Sequence, residues 1–144
     1  QPADLPAVTA YDAGLFGAER AHIFGALLAG HPTSCVVGER DGRISGYALS
    51  RPGARAWHLG PLAAADPQMA RTLVTASLAG GVAAAGADEP QELLMDVLMP
   101  NTAAVQLAQT LGLTLVRPFI RMTRGVPPPA VDAARLYTSA GPAR

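Results

Sequence analysis

Hydrophobic and polar positions repeat with different periods along the chain, and the changes of period predict the order of its elements. Residues 12–28 carry apolar side chains near the helical repeat, which predicts one helix. Residues 34–40 and 43–50 are typical of two strands, because Asp41-Gly42 between them tolerates the positive φ angles of a two-residue hairpin turn. A third strand is predicted over 55–62.

The second half of the sequence predicts two further helices and a central strand. Asp66-Pro67 is a strong helix start, since Asp caps a helix N-terminus and Pro fits the first helical position, and this helix extends to about Ala85. Residues 92–99 are almost continuously apolar, as in a strand that is covered on both faces. A short helix is predicted over 102–111, with Asn101 as its cap, and a final extended segment over 113–124.

This order of elements predicts a fold class. Three strands joined by tight turns form an antiparallel meander, and the two later helices act as crossovers, so the chain is expected to build a mixed α/β sheet. We predict a single domain over residues 1–125. Residues 126–144 are rich in proline and polar side chains, and we expect them to form an irregular C-terminal tail that packs on this domain.

Composition excludes several classes of protein. The 144 residues include 11 basic and 11 acidic side chains. The chain therefore has no excess of positive charge to neutralise the phosphates of a nucleic acid, which argues against a dedicated nucleic-acid-binding protein. An apolar fraction of 49% excludes a disordered chain, and no apolar run reaches the length of about 18 residues that spans a bilayer. The single Cys35 can form no internal disulfide, and the sequence has no zinc-type cluster. We expect a cytoplasmic protein without metal, nucleic-acid or membrane partners.

Because the chain begins with Gln1, we expect it to be part of a longer polypeptide.

Three short motifs resemble those of a known family. They are Asp12-x-x-x-Phe16-Gly17-Ala18-x-Arg20, Gly46-Tyr47-Ala48-Leu49 and His58-Leu59-Gly60-Pro61-Leu62. Together with the order of elements, they resemble the GNAT superfamily of N-acetyltransferases, and within it the C-terminal domain of tandem-GNAT acetyltransferases. The resemblance implies a GNAT-like mixed sheet, acetyl-CoA as co-substrate and a small-molecule or peptide amine as acceptor. It also implies a partner, which is either an N-terminal GNAT domain of the same polypeptide or a homodimer mate.

The resemblance further implies a set of cofactor-binding residues. Backbone N–H groups at a helix N-terminus would hold the CoA pyrophosphate, and backbone groups of the third strand would hold the pantetheine arm and the thioester carbonyl. On this pattern the cofactor-binding residues are Gly60, Pro61, Leu62, Ala63, Gln68, Met69, Ala70, Arg71 and Asn101. Gln68 stands where the family has glycine, Pro67 has no N–H, and Asp66 would set a carboxylate beside a phosphate. A plain helix cap at Asp66-Pro67 therefore stays open as the alternative.

Two strands supply the candidate catalytic residues. His58 is able to take a proton from an amine near neutral pH, and the alternative is a half-exposed histidine on a sheet face. Asp96 is the one charge within an apolar strand, so it is either a base whose pKa is raised by burial or one half of a salt bridge to an arginine such as Arg121. The next helix has Ala108 where the family has the tyrosine that protonates the leaving thiolate.

Asp12 and Tyr47 are the candidate substrate-binding residues. Asp12 and Arg20 lie two helical turns apart and near one helix face, so Asp12 either lines a pocket for an amine or caps its helix while Arg20 pairs with another element. Tyr47 belongs to the second motif and, with Tyr11 and Tyr137, is one of the phenols that could replace the missing acid.

Two functions stay open. The first is an acetyl-CoA-dependent N-acetyltransferase domain, in which a bound amine attacks a thioester held in a slot between the third and fourth strands. The second is a non-catalytic GNAT-like domain that docks on a catalytic GNAT domain and completes its substrate site or dimer. We expect the chain to act as part of an N-acetyltransferase, while the altered phosphate loop and Ala108 favour the second function for the isolated chain.

Overall fold

A computed structural model of the chain describes residues 1–53, 56–85, 92–120, 122, 124–126 and 132–140. The helices in this part of the chain are α1 (Leu5–Phe16), α2 (Ala21–Gly30), α3 (Pro67–Ala85) and α4 (Thr102–Thr110). The strands are β1 (Cys35–Arg40), β2 (Arg43–Pro52), β3 (Trp57–Ala64), β4 (Leu93–Met95) and β5 (Leu136–Thr138). Short 3-10 turns precede α1 (Pro2–Asp4) and β1 (Pro32–Ser34).

The strands form one mixed sheet in the order β1-β2-β3-β4, and β5 pairs with β3. The first three strands are an antiparallel meander, and α3 crosses over to bring β4 parallel to β3. The predicted mixed α/β sheet is therefore confirmed. The turn between β1 and β2 is also the predicted one, since Asp41 and Gly42 have φ angles of 52° and 70°.

Helices cover both faces of the sheet, and the alternation of side chains along each strand divides the core between them. Tyr47 packs with apolar residues of α1 and α2, whereas its neighbour Ala48 packs with residues of α3 and α4. The same alternation separates Ala63 from Ala64. We refer to these two sides as the α1/α2 face and the α3/α4 face.

Two helices stand where the hydrophobic pattern predicted one over residues 12–28, so that prediction is wrong. The N–H of Gly17 donates to the carbonyl of Ala13, and Gly17 itself is left-handed with a φ of 78°. A glycine in this conformation ends many helices, because it has no Cβ to be strained there. The chain then turns, and α2 begins after Arg20 and packs beside α1.

The C-terminal third departs most from the predictions. Residues 113–120 are neither helix nor strand, although the sequence predicts an extended segment there. β4 is shorter than the predicted strand over 92–99, because residues 96–98 lie against β5 instead of β3. Part of the tail that was predicted to be irregular is β5 itself, which is buried within the sheet.

Candidate functional site

The third and fourth strands separate as predicted, but the space between them is filled. β3 and β4 pair only from Trp57 and Leu93 to Leu59 and Met95. Beyond that point, β3 continues in antiparallel pairing with β5. The other edge of β5 bonds to the chain that follows β4, where the N–H of Leu98 donates to the carbonyl of Tyr137 (3.1 Å). β5 is thus wedged between the two diverging strands.

Several contacts hold β5 in this position. The N–H of Ser139 donates to the carbonyl of Asp96 (3.0 Å), and the N–H of Ala64 donates to the carbonyl of Arg135 (3.0 Å). Gly60 lies so close to the Ser139 carbonyl that a Cβ at this position would overlap it. The buried side chains of Leu136 and Tyr137 are 2% and 1% exposed, so β5 is an integral part of the core.

Asn101 links α4 to the same strand. Its side-chain oxygen accepts a hydrogen bond from the N–H of Ala104 (3.0 Å), which confirms the predicted helix cap. Its Nδ2 donates to the carbonyls of Ala134 (2.9 Å) and Leu136 (3.0 Å). Asn101 is 3% exposed. The side chain assigned to cofactor binding by resemblance is therefore saturated by contacts within the chain.

The predicted pantetheine-binding residues run along β5. Leu62 pairs with Thr138, and Ala63 pairs with Leu136. Gly60 and Pro61 come directly before them and are buried as well. The backbone groups that would receive a thioester arm thus face the chain's own C-terminal strand.

The N-terminus of α3 is capped by the side chain of Asp66. Asp66 Oδ1 accepts a hydrogen bond from the N–H of Met69 (2.8 Å), and Oδ2 pairs with Arg40 Nη2 (2.8 Å). The Met69 N–H, followed by the Arg40 guanidinium, lowers the pKa of the Asp66 carboxyl. This geometry confirms the helix-cap alternative for Asp66. Of the four predicted loop residues, Gln68 and Arg71 are exposed, Met69 is half-buried and Ala70 is buried.

The two predicted substrate-binding residues come together in a buried network. Tyr47 donates from its hydroxyl to Asp12 Oδ1 (2.6 Å), and Arg20 binds the same carboxylate through Nε (2.9 Å) and Nη2 (2.5 Å). Asp12 and Tyr47 are both 0% exposed. The Arg20 guanidinium lies 3.8 Å from the ring centroid of Phe16, a cation–π contact.

The pKa values of Tyr47 and Arg20 are both raised in this network. Burial and the neighbouring Asp12 carboxylate raise the pKa of Tyr47, so it stays a neutral donor. Burial opposes the charge of Arg20, but its bonds to Asp12 outweigh that effect and raise its pKa. Asp12 is in the middle of α1, whose N-cap is Asp4, so the capping alternative for Asp12 is wrong. The network braces α1, the start of α2 and β2 against one another.

A second polar cluster contains both predicted catalytic residues. His58 and Arg51 are cross-strand partners and so share a sheet face. Leu94 is the partner of His58 on β4, and Asp96, two residues further along, returns to the same side. This side is the α1/α2 face, because Leu59 beside His58 packs on the opposite one.

These residues surround a small cavity at the end of the sheet, which we call the sheet-end cavity. It is partly open to solvent and encloses no space for a water molecule, and its lining includes Arg51, His58, Gly60, Leu94, Asp96 and Ser139. Gly53 abuts the imidazole of His58, and a Cβ there would overlap it. Nη1 of Arg51 is buried and has no hydrogen-bond partner among the described residues. The cavity therefore combines an imidazole, a carboxylate and an unused guanidinium donor.

Arg20, Arg51 and Ser139 are residues that sequence reasoning did not assign to a site. The pairing of Arg20 with Asp12 could have been inferred from the sequence, since both residues belong to the first motif. Arg51 could be placed only with the register of β2 on β3, and Ser139 only with the position of β5. Arg121, the suggested partner of Asp96, lies outside the described residues.

Two kinds of site are not found in the described part of the chain. No group of three or more His, Cys, Asp and Glu side chains is placed there to hold a metal ion. None of its helices combines the length and apolar character needed to cross a membrane.

Comparison with known proteins gives a family and a fold. Residues 8–138 match the family model of the acetyltransferase (GNAT) domain. The crystal structure of a mutant of TTHA1254 from Thermus thermophilus superposes with a TM-score of 0.61 at 14% sequence identity, covering 88% of this chain and 94% of that one. At this identity the likeness concerns the fold alone. No curated protein matches the sequence at a significant level.

Proposed function

The chain belongs to the acetyltransferase (GNAT) domain family, and we propose that it serves acetyl transfer to an amine as an accessory domain. In this proposal a catalytic GNAT domain, in the same polypeptide or in a second one, binds acetyl-CoA, and the present domain docks on it. The observation that carries the proposal is β5, which fills the opening between β3 and β4.

The free energy needed to empty that opening supports this choice. Displacing β5 breaks at least three backbone hydrogen bonds and exposes Leu136 and Tyr137. With about 1 kcal/mol for each bond and about 2 kcal/mol for each side chain, the cost is on the order of 7 kcal/mol. A micromolar dissociation constant corresponds to about 8 kcal/mol. An acetyl-CoA molecule that had to expel β5 would retain little net binding free energy.

The N-terminus of α3 supports the same proposal. A CoA pyrophosphate binds well where helix N–H groups are free, but Asp66 already accepts the bond of Met69 and presents a negative charge. Arg40, which could screen a phosphate, is engaged by the same carboxylate. A phosphate at this position would meet electrostatic repulsion.

Isothermal titration calorimetry with acetyl-CoA tests the proposal. We expect no binding at millimolar ligand, and the amide N–H of Leu98, bonded to Tyr137, should exchange with solvent at the same rate with and without acetyl-CoA. Binding at micromolar concentration would overturn the proposal. In that case Arg71→Ala, at the start of α3, should weaken binding, while Arg43→Ala, at the exposed start of β2, serves as the matched control.

The sheet-end cavity supports a second candidate, an autonomous N-acetyltransferase. His58 and Asp96, chosen from the sequence as bases, line the same cavity. Either group would accept the proton that the amine nitrogen loses when it attacks the thioester carbonyl and the CoA thiolate leaves. Release of free thiol from acetyl-CoA with a panel of amines measures this activity. Unchanged turnover in both His58→Ala and Asp96→Asn would remove these catalytic assignments.

A further inference from the structure

Two buried polar atoms on the α1/α2 face have no hydrogen-bond partner among the described residues, and both adjoin the sheet-end cavity. They are Nη1 of Arg51 and Oγ1 of Thr138. Thr138 is 2% exposed and shares this face with Leu136, two residues before it. Its Oγ1 lies 2.9 Å from the position that a Cβ of Gly60 would take, and Gly60 lines the cavity. Because buried polar groups are almost always hydrogen-bonded, two unpaired atoms beside one cavity indicate a polar ligand.

The same cavity carries two opposite charges that do not neutralise each other. Arg51 and Asp96 both line it, yet within the described part of the chain neither belongs to an ion pair. Arg51, His58 and Leu94 are successive partners across β2, β3 and β4. With strands about 4.8 Å apart and a rise of about 3.3 Å per residue, the Cα atoms of Arg51 and Asp96 are about 12 Å apart. His58 therefore lies between a cationic and an anionic side chain.

The position of a ligand is restricted to the open side of the cavity. The enclosed part has no space for a water molecule, so a larger molecule does not lie within it. The side chains of Arg51, His58 and Asp96 are half-buried, and Leu94 is 39% exposed. The guanidinium of Arg51 is at the end of a long side chain that reaches solvent, and turning outward gives Nη1 the partner that it lacks.

The pair of charges selects the class of ligand. A simple carboxylate would pair with Arg51, but it would be repelled by Asp96. A simple amine would pair with Asp96, but it would be repelled by Arg51 and would leave Nη1 without an acceptor. A small molecule that carries both charges satisfies both side chains at once.

We propose that the open side of the sheet-end cavity binds a small zwitterion with a carboxylate and an ammonium group, as in an α-amino acid. The Arg51 guanidinium donates to the carboxylate, since its planar donors match two carboxylate oxygens. Asp96 accepts from the ammonium group, and β5 stays in place. The inference rests on the proposed function in one respect, namely that the amine of this ligand is the acceptor for acetyl transfer.

A nuclear magnetic resonance titration of the chain tests this inference, with L-alanine as the probe and without acetyl-CoA. Propionate lacks the amine of alanine and ethylamine lacks its carboxylate, so they are matched analogues with one charge each. The backbone amide shifts of His58 and Leu94 report binding. We expect L-alanine to bind at least about ten times more tightly than either analogue, because a hydrogen bond to a charged group contributes about a factor of ten or more.

Two conservative variants assign the charges. Arg51→Gln should bind L-alanine no more tightly than it binds ethylamine, because the carboxylate loses its cationic partner. Asp96→Asn should bind L-alanine no more tightly than it binds propionate. Arg43→Gln, at the exposed start of β2, is the matched control and should keep the wild-type affinity.

The wild-type titrations alone are able to refute the inference, so it does not depend on the folding of a variant. L-alanine that causes no saturable shift, or that binds no more tightly than one of its analogues, would overturn it. An affinity for L-alanine that is unchanged in Arg51→Gln or in Asp96→Asn would do the same. Because acetyl-CoA is absent throughout, these outcomes are separate from the calorimetric test of the opening that β5 fills.

Discussion

Replacing Asp12 with Asn should destabilise the domain strongly. The carboxylate is fully buried and binds Arg20 through two hydrogen bonds and Tyr47 through a third. An amide in its place offers one oxygen and turns N–H groups toward a guanidinium that has only donors. Arg20, 8% exposed, then keeps a charge with no counter-charge. Removing one partner of a buried ion pair costs about 3–5 kcal/mol.

Urea unfolding followed by circular dichroism measures this loss. Domains have a total stability of about 5–15 kcal/mol, so the midpoint should fall substantially. Asp132→Asn is the matched control, because Asp132 and Arg135 form an ion pair with both side chains more than a third exposed. An exposed pair contributes about 0–1 kcal/mol, and the control should unfold near the wild-type midpoint.

A double-mutant cycle separates the stabilisation by the ion pair from the free-energy cost of leaving one buried charge without its partner. Replacing both charges, as Asp12→Leu with Arg20→Met, removes the uncompensated charge and should cost less than the sum of the single variants. If Asp12→Asn unfolds within about 0.5 kcal/mol of wild type, the network does not stabilise the fold and the reasoning fails.

Two further predictions follow from buried polar groups. Because burial raises the pKa of Tyr47, the folded chain keeps this proton after the unfolded chain loses it near pH 10, so stability should fall above that pH. Tyr47→Phe should make the alkaline slope of the unfolding free energy shallower by about 1.4 kcal/mol per pH unit; an unchanged slope would contradict the burial argument. Asn101→Ala should cost about 1 kcal/mol for the cap and about 1–3 kcal/mol for each carbonyl left unpaired, those of Ala134 and Leu136. Asn101→Asp keeps the cap acceptor but replaces the Nδ2 donors with a carboxylate oxygen that repels the two carbonyls. Amide exchange at Leu98 should therefore quicken in both variants, and an equal loss of helix in both would argue against the separate contribution of the cap.

Local chemistry explains what the sequence could predict. The Asp41-Gly42 turn and the Asn101 cap are correct because each depends on residues within a few positions of one another. The mixed sheet is correct because the order of elements admits few arrangements. The break at Gly17 was missed because the apolar repeat continues through it, although a glycine after Phe16 is itself a stop signal.

Long-range pairing explains what the sequence could not predict. β5 has three residues, too few for a periodic pattern, and its place depends on two strands that are distant in sequence. The sheet-end cavity needs the register of β2 on β3, which a bulge near Ser50 shifts. His58 and Asp96 were chosen singly, and only the register of β3 on β4 places them on one side of the sheet.

The late position of β5 in the sequence also bears on how the domain is made. Every other strand of the described sheet is synthesised before it, yet the C-terminal half of β3 and the chain after β4 pair with it. Contacts between residues so far apart slow folding, because the intervening chain must first be ordered. A nascent chain on the ribosome would therefore carry an unfinished sheet until residues 136–138 emerge from the exit tunnel.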